Sequence, residues 1–293
     1  MKTSLVSICI PTYNGAKFIA EAMDSVLCQT YNNLEIIVSD DASKDATLEI
    51  IRSYESKTDI PIFIYPHQPN GIGANWNHCI KKAKGEYIKF LFQDDVLEPE
   101  CVEKMVDVME CHPNLGMVAS KRGFIVDTNL KSTETQKWID KYGDLQKGLD
   151  FELKDNVQII DRSLFKSKAF LKPPIKNKIG EPSVALFRKR IVNKIGYYRA
   201  DLKQILDYEF CYRLLKQQPI GIINTVLVKF RLHSNQATNV NAVTGVNDYK
   251  KYNRILLHEY FWYLNKETRK RLLMKEYKWF KFLFKIKSKL HGK

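Results

Sequence analysis

Apolar runs alternate with one-faced apolar stripes through the first third of the chain. "LVSICIPTY" (5–13) is apolar enough for a buried strand, and Ile19, Ala22, Met23, Val26 and Leu27 then recur at the i, i+3, i+4, i+7, i+8 spacing of a helix with one buried face. "NLEIIVSDD" (33–41) predicts a second strand. Ser43, Asp45 and Thr47 open a helix that runs through Ile50 and Ile51, and "IPIFIYPHQ" (60–68) predicts a third strand. A helix over about 73–84 leads into a fourth strand, "EYIKFLF" (86–92). Pro99 suits a helix start, and Val102, Met105, Val106 and Met109 mark the stripe that follows. Repeated βα units of this length imply an α/β fold, a mainly parallel sheet flanked by helices.

Beyond residue 116 the pattern is less regular. The polar stretch "DTNLKSTETQKWIDKYGDLQKGLDFELKDN" (127–156) follows a short strand and reads as long loops of the kind that form lids. "VALFRK" predicts a short strand, "QILDYEFCYRLLKQ" a helix and "GIINTVLVKFRLHS" a long strand or strand pair, and from about Asp248 the chain is helical to its end. This divides it into a domain over 1–240, with halves at 1–115 and 116–240, and a basic helical tail over 241–293.

In open parallel sheets ligands bind beyond the carboxyl ends of the strands. Here those ends carry "PTYNG", "SDDAS" and "QDDV", three polar clusters that should meet in one crevice. Asp94 and Asp95 stand side by side where the fourth strand runs out. Adjacent carboxylates repel, so they need a compensating cation or hydrogen-bond donors. Either one caps the following helix, or the pair contributes oxygens to a divalent cation that also binds substrate phosphates.

Several ordered motifs in one chain carry a resemblance. "VSICIPTYNG", "SDDAS" and "NGIGANWNHCIKKAKGEYIKFLFQDD", then "GEPSVALFRK", "DLKQILDYEF" and "FRLHSNQAT", are similar to the family 2 glycosyltransferases, inverting enzymes with the Rossmann-like GT-A fold. The likeness is close over residues 4 to 110 and stops near 240. It implies that Pro11 and Tyr13 shape a nucleotide pocket and that Asp41 accepts hydrogen bonds from a uracil-like base; Asn70, with Gly71 and Gly73, forms a polar turn before a helix that is expected to offer backbone N–H groups to the donor's phosphate, without the spacing of a P-loop. Asp94 and Asp95 occupy the place of the DxD-type motif, Asp94 on the donor and Asp95 as metal ligand for Mn²⁺ or Mg²⁺. Asp207 matches the catalytic base, and His233 a histidine that reaches the metal or diphosphate. The implied substrates are a nucleotide-sugar donor, with UDP foremost, and a glycan or lipid-linked acceptor in surface polysaccharide synthesis. The Q-x-x-R-W motif of the processive relatives is replaced by "FCYRLLKQ", which implies one sugar per encounter. Trp76 stands where many relatives have a cation, so the positive partner of the diphosphate is open.

Each assignment has a structural alternative. Asp207 could pair with Arg213 on its own helix, His233 could be a satisfied half-buried histidine, and Tyr13 could pack at a strand end.

Charge changes the picture only at the tail. From Lys266 to Lys293 eleven Lys or Arg stand against Glu267 and Glu276, so most of the net charge of +14 lies there. Trp279, Phe280, Leu283, Phe284, Ile286 and Leu290 fall on one side of a helix and Lys278, Lys281, Lys285 and Lys289 on the other, the pattern of an interfacial anchor on an anionic membrane or of a helix packed on its own domain. No stretch reaches the ~18 apolar residues of a spanning helix. The expected location is the cytoplasm, with the tail at the inner face of the membrane. The six scattered cysteines suit reduced, mostly buried thiols rather than disulfides or zinc ligands. A nucleotidyltransferase would need a glycine-rich triphosphate loop ahead of a lysine, and a nucleic-acid binder a basic face outside the tail; neither pattern is found, so no nucleic-acid partner is expected.

Overall fold

The computed structural model describes residues 3–147, 149, 153–154, 156–172, 176–234, 236 and 248–283. The first four strands, β1 (Val6–Thr12), β2 (Leu34–Asp40), β3 (Ile62–Pro66) and β4 (Tyr87–Phe90), lie parallel in the order β3-β2-β1-β4. β1 and β2 are buried throughout, as a sheet covered on both faces requires. Helices α1 (Ile19–Leu27), α2 (Thr47–Arg52), α3 (Ile72–Lys82) and α4 (Cys101–Cys111) supply the covers, and Ile19, Ala22, Met23 and Val26 of α1 all face the core as their spacing predicts.

The sheet then continues with mixed direction. β5 (Val96–Leu97) follows the acidic turn, β6 is Met117–Val126, β7 is Leu153–Lys154 and β8 is Val157–Ile160. β9 (Ala185–Arg188) lies antiparallel between β4 and β6, and the long β10 (Ile220–Leu232) runs parallel to β6. Among the described residues ten strands form one mixed, mainly parallel sheet. Register shifts between Ile223 and Val228 kink β10, so that its first part pairs with β8 and its later part pairs with β5. Of the expected long strand or strand pair, the fold has the long strand, bent in its middle.

The segment read as loops contains a helix, α5 (Thr133–Tyr142), capped by Ser132, whose hydroxyl accepts from the Thr135 N–H at 3.1 Å. It buries none of its residues, which explains why no apolar stripe announced it. After the short α6 (Val192–Ile195), α7 (Leu206–Leu215) is buried almost all round. The tail begins with α8 (Tyr249–Glu259) and α9 (Lys266–Glu276), which pack on each other. Residues 278–283 are also helical, with Trp279 61% exposed and Phe282 and Leu283 similarly open. Phe284, Ile286, Leu290, Lys285 and Lys289 lie outside the described residues. Among the described residues no helix is long and apolar enough to cross a membrane.

One buried carboxylate ties this half together. Glu209 on α7 is 0% exposed and accepts from Arg213 at 2.9 Å and from Arg199 at 3.2 Å, while Arg213 also donates to the carbonyls of Ile195 and Tyr197. Removing the acid leaves the Arg213 guanidinium without a carboxylate partner, while Arg199 keeps Glu259, so Glu209→Ala is expected to destabilise the fold by about 3–5 kcal/mol. Urea denaturation is the measurement, and a loss within about 0.5 kcal/mol, the range of neutral surface changes, would contradict it.

Candidate active site

The turn after β4 answers why two carboxylates stand together: they face opposite ways. Asp95 is 1% exposed and points inward, where its Oδ1 accepts from the backbone N–H of Arg231 on β10 at 3.1 Å. Its Oδ2 is buried with no hydrogen-bond partner among the described residues. Burial first, and the Asp94 charge second, push the Asp95 carboxyl well above the usual range. Beneath it the fully buried Lys89 ammonium donates to the carbonyls of Phe90 and Ser183, and burial lowers its pKa. The Arg231 side chain grips the turn from the same strand, with Nε on the Asp94 carbonyl at 2.9 Å and its far end on Glu21.

Asp94 points outward, and its Oδ2 lies 2.9 Å from His233 Nε2, two residues beyond Arg231. Of the two aspartates it is therefore Asp94, expected on the donor, that reaches the crevice beside a histidine. Asp95, expected to bind metal, is enclosed under the turn. Neither aspartate accepts the cap bond of α4, whose N-cap is Glu100 with no side-chain hydrogen bond.

Asp94 and Asp207 line one cavity of about 200 Å³, together with Trp76, Phe92, Glu181 and Lys203. Asp207 lies in the first turn of α7, and its Oδ2 accepts from Asn177 Nδ2 at 2.9 Å. Oδ1 is buried without a hydrogen-bond partner among the described residues. Burial is the main cause that raises its pKa to about 7, with Glu181 adding to it and the Tyr208 N–H and Asn177 opposing. The alternative of an ion pair with Arg213 fails, because Arg213 is taken by Glu209. Trp76 stacks on Phe92 at 5.0 Å and so contributes an apolar wall where a cation was missing.

The remaining expected residues gather at the ends of β1 and β2. Pro11 is buried inside β1, and Tyr13, just past it, is 57% exposed. The Gln93 amide clamps the Tyr13 backbone, accepting from its N–H at 2.9 Å and donating to its carbonyl at 3.1 Å, which fixes this end beside the acidic turn. A Cβ at Gly15 would come within 2.3 Å of the Gln93 side-chain amide, so a larger residue there would displace Gln93 from its clamp. Asp41 lies against His67 Nδ1, whose ring is 4.9 Å from that of His78. Asp40 is different: it accepts from Thr12 Oγ1 at 2.9 Å and from the Ser43 N–H at 2.8 Å, holding the loop. Asn70 is exposed ahead of α3 and lines neither Asp94's cavity nor the larger cleft beside it. Sequence reasoning missed Asn177, Glu181 and Lys203, which stand in loops without a repeating pattern.

The sequence profile described as Glycosyl transferase family 2 matches residues 7–196. The chain belongs to glycosyl transferase family 2. An uncharacterized glycosyltransferase of Rickettsia typhi is 30% identical over 272 residues, 92% of this chain and 74% of that protein. Among solved structures, Staphylococcus aureus TarS 1-349 in complex with UDP-GlcNAc superposes with a TM-score of 0.63 at 18% identity, over 92% of this chain and 70% of that one. Mannosyltransferase PcManGT from Pyrobaculum calidifontis, in complex with GDP-Man and Mn²⁺, gives 0.60 at 15% identity over 100% of this chain and 82% of that one. At such identities the likeness is one of fold, and it is the GT-A fold. This glycosyltransferase is thus an enzyme of sugar transfer, and the nucleotidyltransferase reading is set aside.

The raised pKa of Asp207 has a consequence for stability. With a pKa of about 7 in the fold and about 3.9 in the unfolded chain, the folded glycosyltransferase holds the proton more tightly, so its stability falls as pH rises between these values. Asp207→Asn lacks this dependence and is expected to melt higher than the parent at pH 8 while nearly matching it at pH 4. Scanning calorimetry at the two pH values checks this, and an equal gap at both would contradict it.

Proposed function

We propose that this glycosyltransferase moves a sugar from a nucleoside-diphosphate sugar, a UDP-sugar first, to a hydroxyl of a glycan or lipid-linked acceptor in surface polysaccharide synthesis, with inversion and one sugar per encounter. The observation that carries the reading is the shared cavity of Asp94 and Asp207, in which the second carboxyl has a pKa of about 7. Such a group is half ionised near neutral pH, where a general base works best.

The Asp207 carboxylate takes the proton of the acceptor hydroxyl as its oxygen attacks the anomeric carbon. The bond from that carbon to the diphosphate breaks on the opposite face, and the nucleoside diphosphate leaves with the electron pair. Asn177 aims the carboxylate by binding Oδ2. Tyr13 and Asp41 hold the nucleotide end, the carboxylate accepting N–H groups of the base, and Asn70 lies in the same donor loop region. Lys203, in the cavity wall, offers a cation to the diphosphate.

The donor set fits a divalent ion: one carboxylate oxygen and one imidazole nitrogen meet at 2.9 Å beside the cavity. Among the described residues no group of three such ligands gathers, so phosphate oxygens and water would complete the shell, as Mn²⁺ or Mg²⁺ sites with nucleotides commonly do. When bound, such an ion stabilises the charge of the departing diphosphate as a Lewis acid. Asp94 and His233 would hold it, with Asp95 supporting the turn from below.

Calorimetry and kinetics test the assignment together. Asp94→Ala is expected to weaken UDP binding in the presence of Mn²⁺, while Asp207→Asn binds UDP and Mn²⁺ like the parent but transfers sugar ~10²–10⁴-fold more slowly. The parental rate should rise with pH through about 7, and that limb should vanish in the variant. Parental transfer by Asp207→Asn would remove this residue from the mechanism. Glu209 could not replace it, being buried between two arginines.

Exposure of Trp279, Phe282 and Leu283 beside Lys278 and Lys281 supports docking of the tail on an anionic membrane rather than packing on the domain. Changing Lys278 and Lys281 to Glu together should reduce sedimentation with phosphatidylglycerol vesicles and leave turnover of a water-soluble acceptor intact. A parent enzyme that ignores such vesicles rejects the docking.

A further inference from the structure

Three strand ends form one row past the edge of the sheet. In register, Thr12 of β1 lies beside Asp40 of β2, and Asp40 beside Pro66 of β3. The pairing continues one residue further, the Asp41 N–H donating to the Thr12 carbonyl at 2.9 Å and the His67 N–H to the Asp40 carbonyl at 2.7 Å. Tyr13, Asp41 and His67 therefore make up the next row. Because side chains alternate along a strand, Asp41 shares its face with Ser39 and not with Asp40, whose carboxylate turns to Thr12 and Ser43.

On that face a chain of contacts leads to the Asp41 carboxylate. His78 of α3 has its Nδ1 2.8 Å from Ser39 Oγ, and the Tyr65 ring stands edge-on to it with centroids 6.1 Å apart. The His67 ring lies over that of His78 at 4.9 Å, tilted by 32°. His67 Nδ1 then meets Asp41 Oδ1. A carboxylate can only accept, so Nδ1 carries the hydrogen and donates. Among the described residues no other donor reaches the Asp41 side chain, so Oδ1 is occupied and Oδ2 has no protein partner.

We propose that His67 is a positioning residue for the nucleotide base: its Nδ1–H turns the Asp41 carboxylate so that Oδ2 meets a ring N–H of the uracil, which rests on the reading of Asp41 as the residue that binds the base. A lone aspartate past a strand end rotates about its side-chain bonds, and a ligand that needs one orientation must fix it on binding. The stacked imidazoles fix it beforehand. A histidine suits this task, because a planar ring held by His78 aims its donor in one direction, whereas a lysine ammonium would reach Asp41 from a flexible stem.

Calorimetry of the full chain with UDP and Mn²⁺, and with inorganic diphosphate and Mn²⁺, is the test. His67→Asn and His67→Gln separate donor position from packing, since an asparagine amide nitrogen can take the place of Nδ1 and a glutamine amide nitrogen that of Nε2. UDP affinity should stay within about threefold of the parent in His67→Asn and fall about tenfold in His67→Gln, the loss expected when one charge-assisted hydrogen bond goes, with diphosphate affinity unchanged throughout. Equal UDP affinities in the two variants would reduce the ring to packing and overturn the proposal. A parallel loss of diphosphate affinity would do the same, since it would place the effect on the whole loop and not on the base. Asp41→Asn tests the reading beneath and should itself weaken UDP and spare diphosphate. Parental UDP binding in Asp41→Asn takes Asp41 off the base, and His67 with it; a weakened Asp41→Asn beside an unaffected His67→Gln keeps Asp41 on the base and rejects His67 alone.

Discussion

The buried carboxyl of Asp95 is the constraint on which the working end of this glycosyltransferase depends. Burial beside a second acid is unfavourable, and two strands, β10 and β4, compensate it. β10 presents the Arg231 N–H, the Arg231 guanidinium holds the neighbouring carbonyl, and the buried Lys89 of β4 lies beneath. Because the partner that satisfies Asp95 sits on β10, the turn after β4 is tied to the far half of the sheet. That tie brings His233 to Asp94 across 139 residues of sequence. The acid that is least available to a ligand is the one that positions the others.

The kink in β10 serves the same end. A straight strand would pair with one neighbour along that edge, whereas the register shifts let it pair first with β8 and then with β5, which directly follows the acidic turn. Strand β5 is only two residues long, so its geometry is set by β10 rather than by propensity. Backbone pairing and the buried carboxyl thus act on one turn from two sides.

The same surroundings separate the tasks of the two reachable carboxylates. Asp94 stands at the rim with the His233 imidazole beside it. Asp207 is pushed up to about 7 because one oxygen is buried without a partner while Glu181 stands near. Glu209, two residues on, is held by two arginines and is a structural acid. Three acids close in space or sequence differ in role because their solvation and partners differ.

Much of the fold was legible in the sequence, for a physical reason. A strand or helix with a buried face must repeat apolar residues at its own period, so the first four βα units could be read directly, and with them the rule that sites form at strand ends. The ordered motifs then indicated the family. Helix α5 could not be read, since it buries no residue and leaves no stripe. The inward turn of Asp95, the clamp of Gln93 on Tyr13 and the choice of Asn177 rather than Arg213 as partner of Asp207 were decided only in three dimensions. Periodicity records which face of an element is buried; which distant residue meets it depends on how the elements pack.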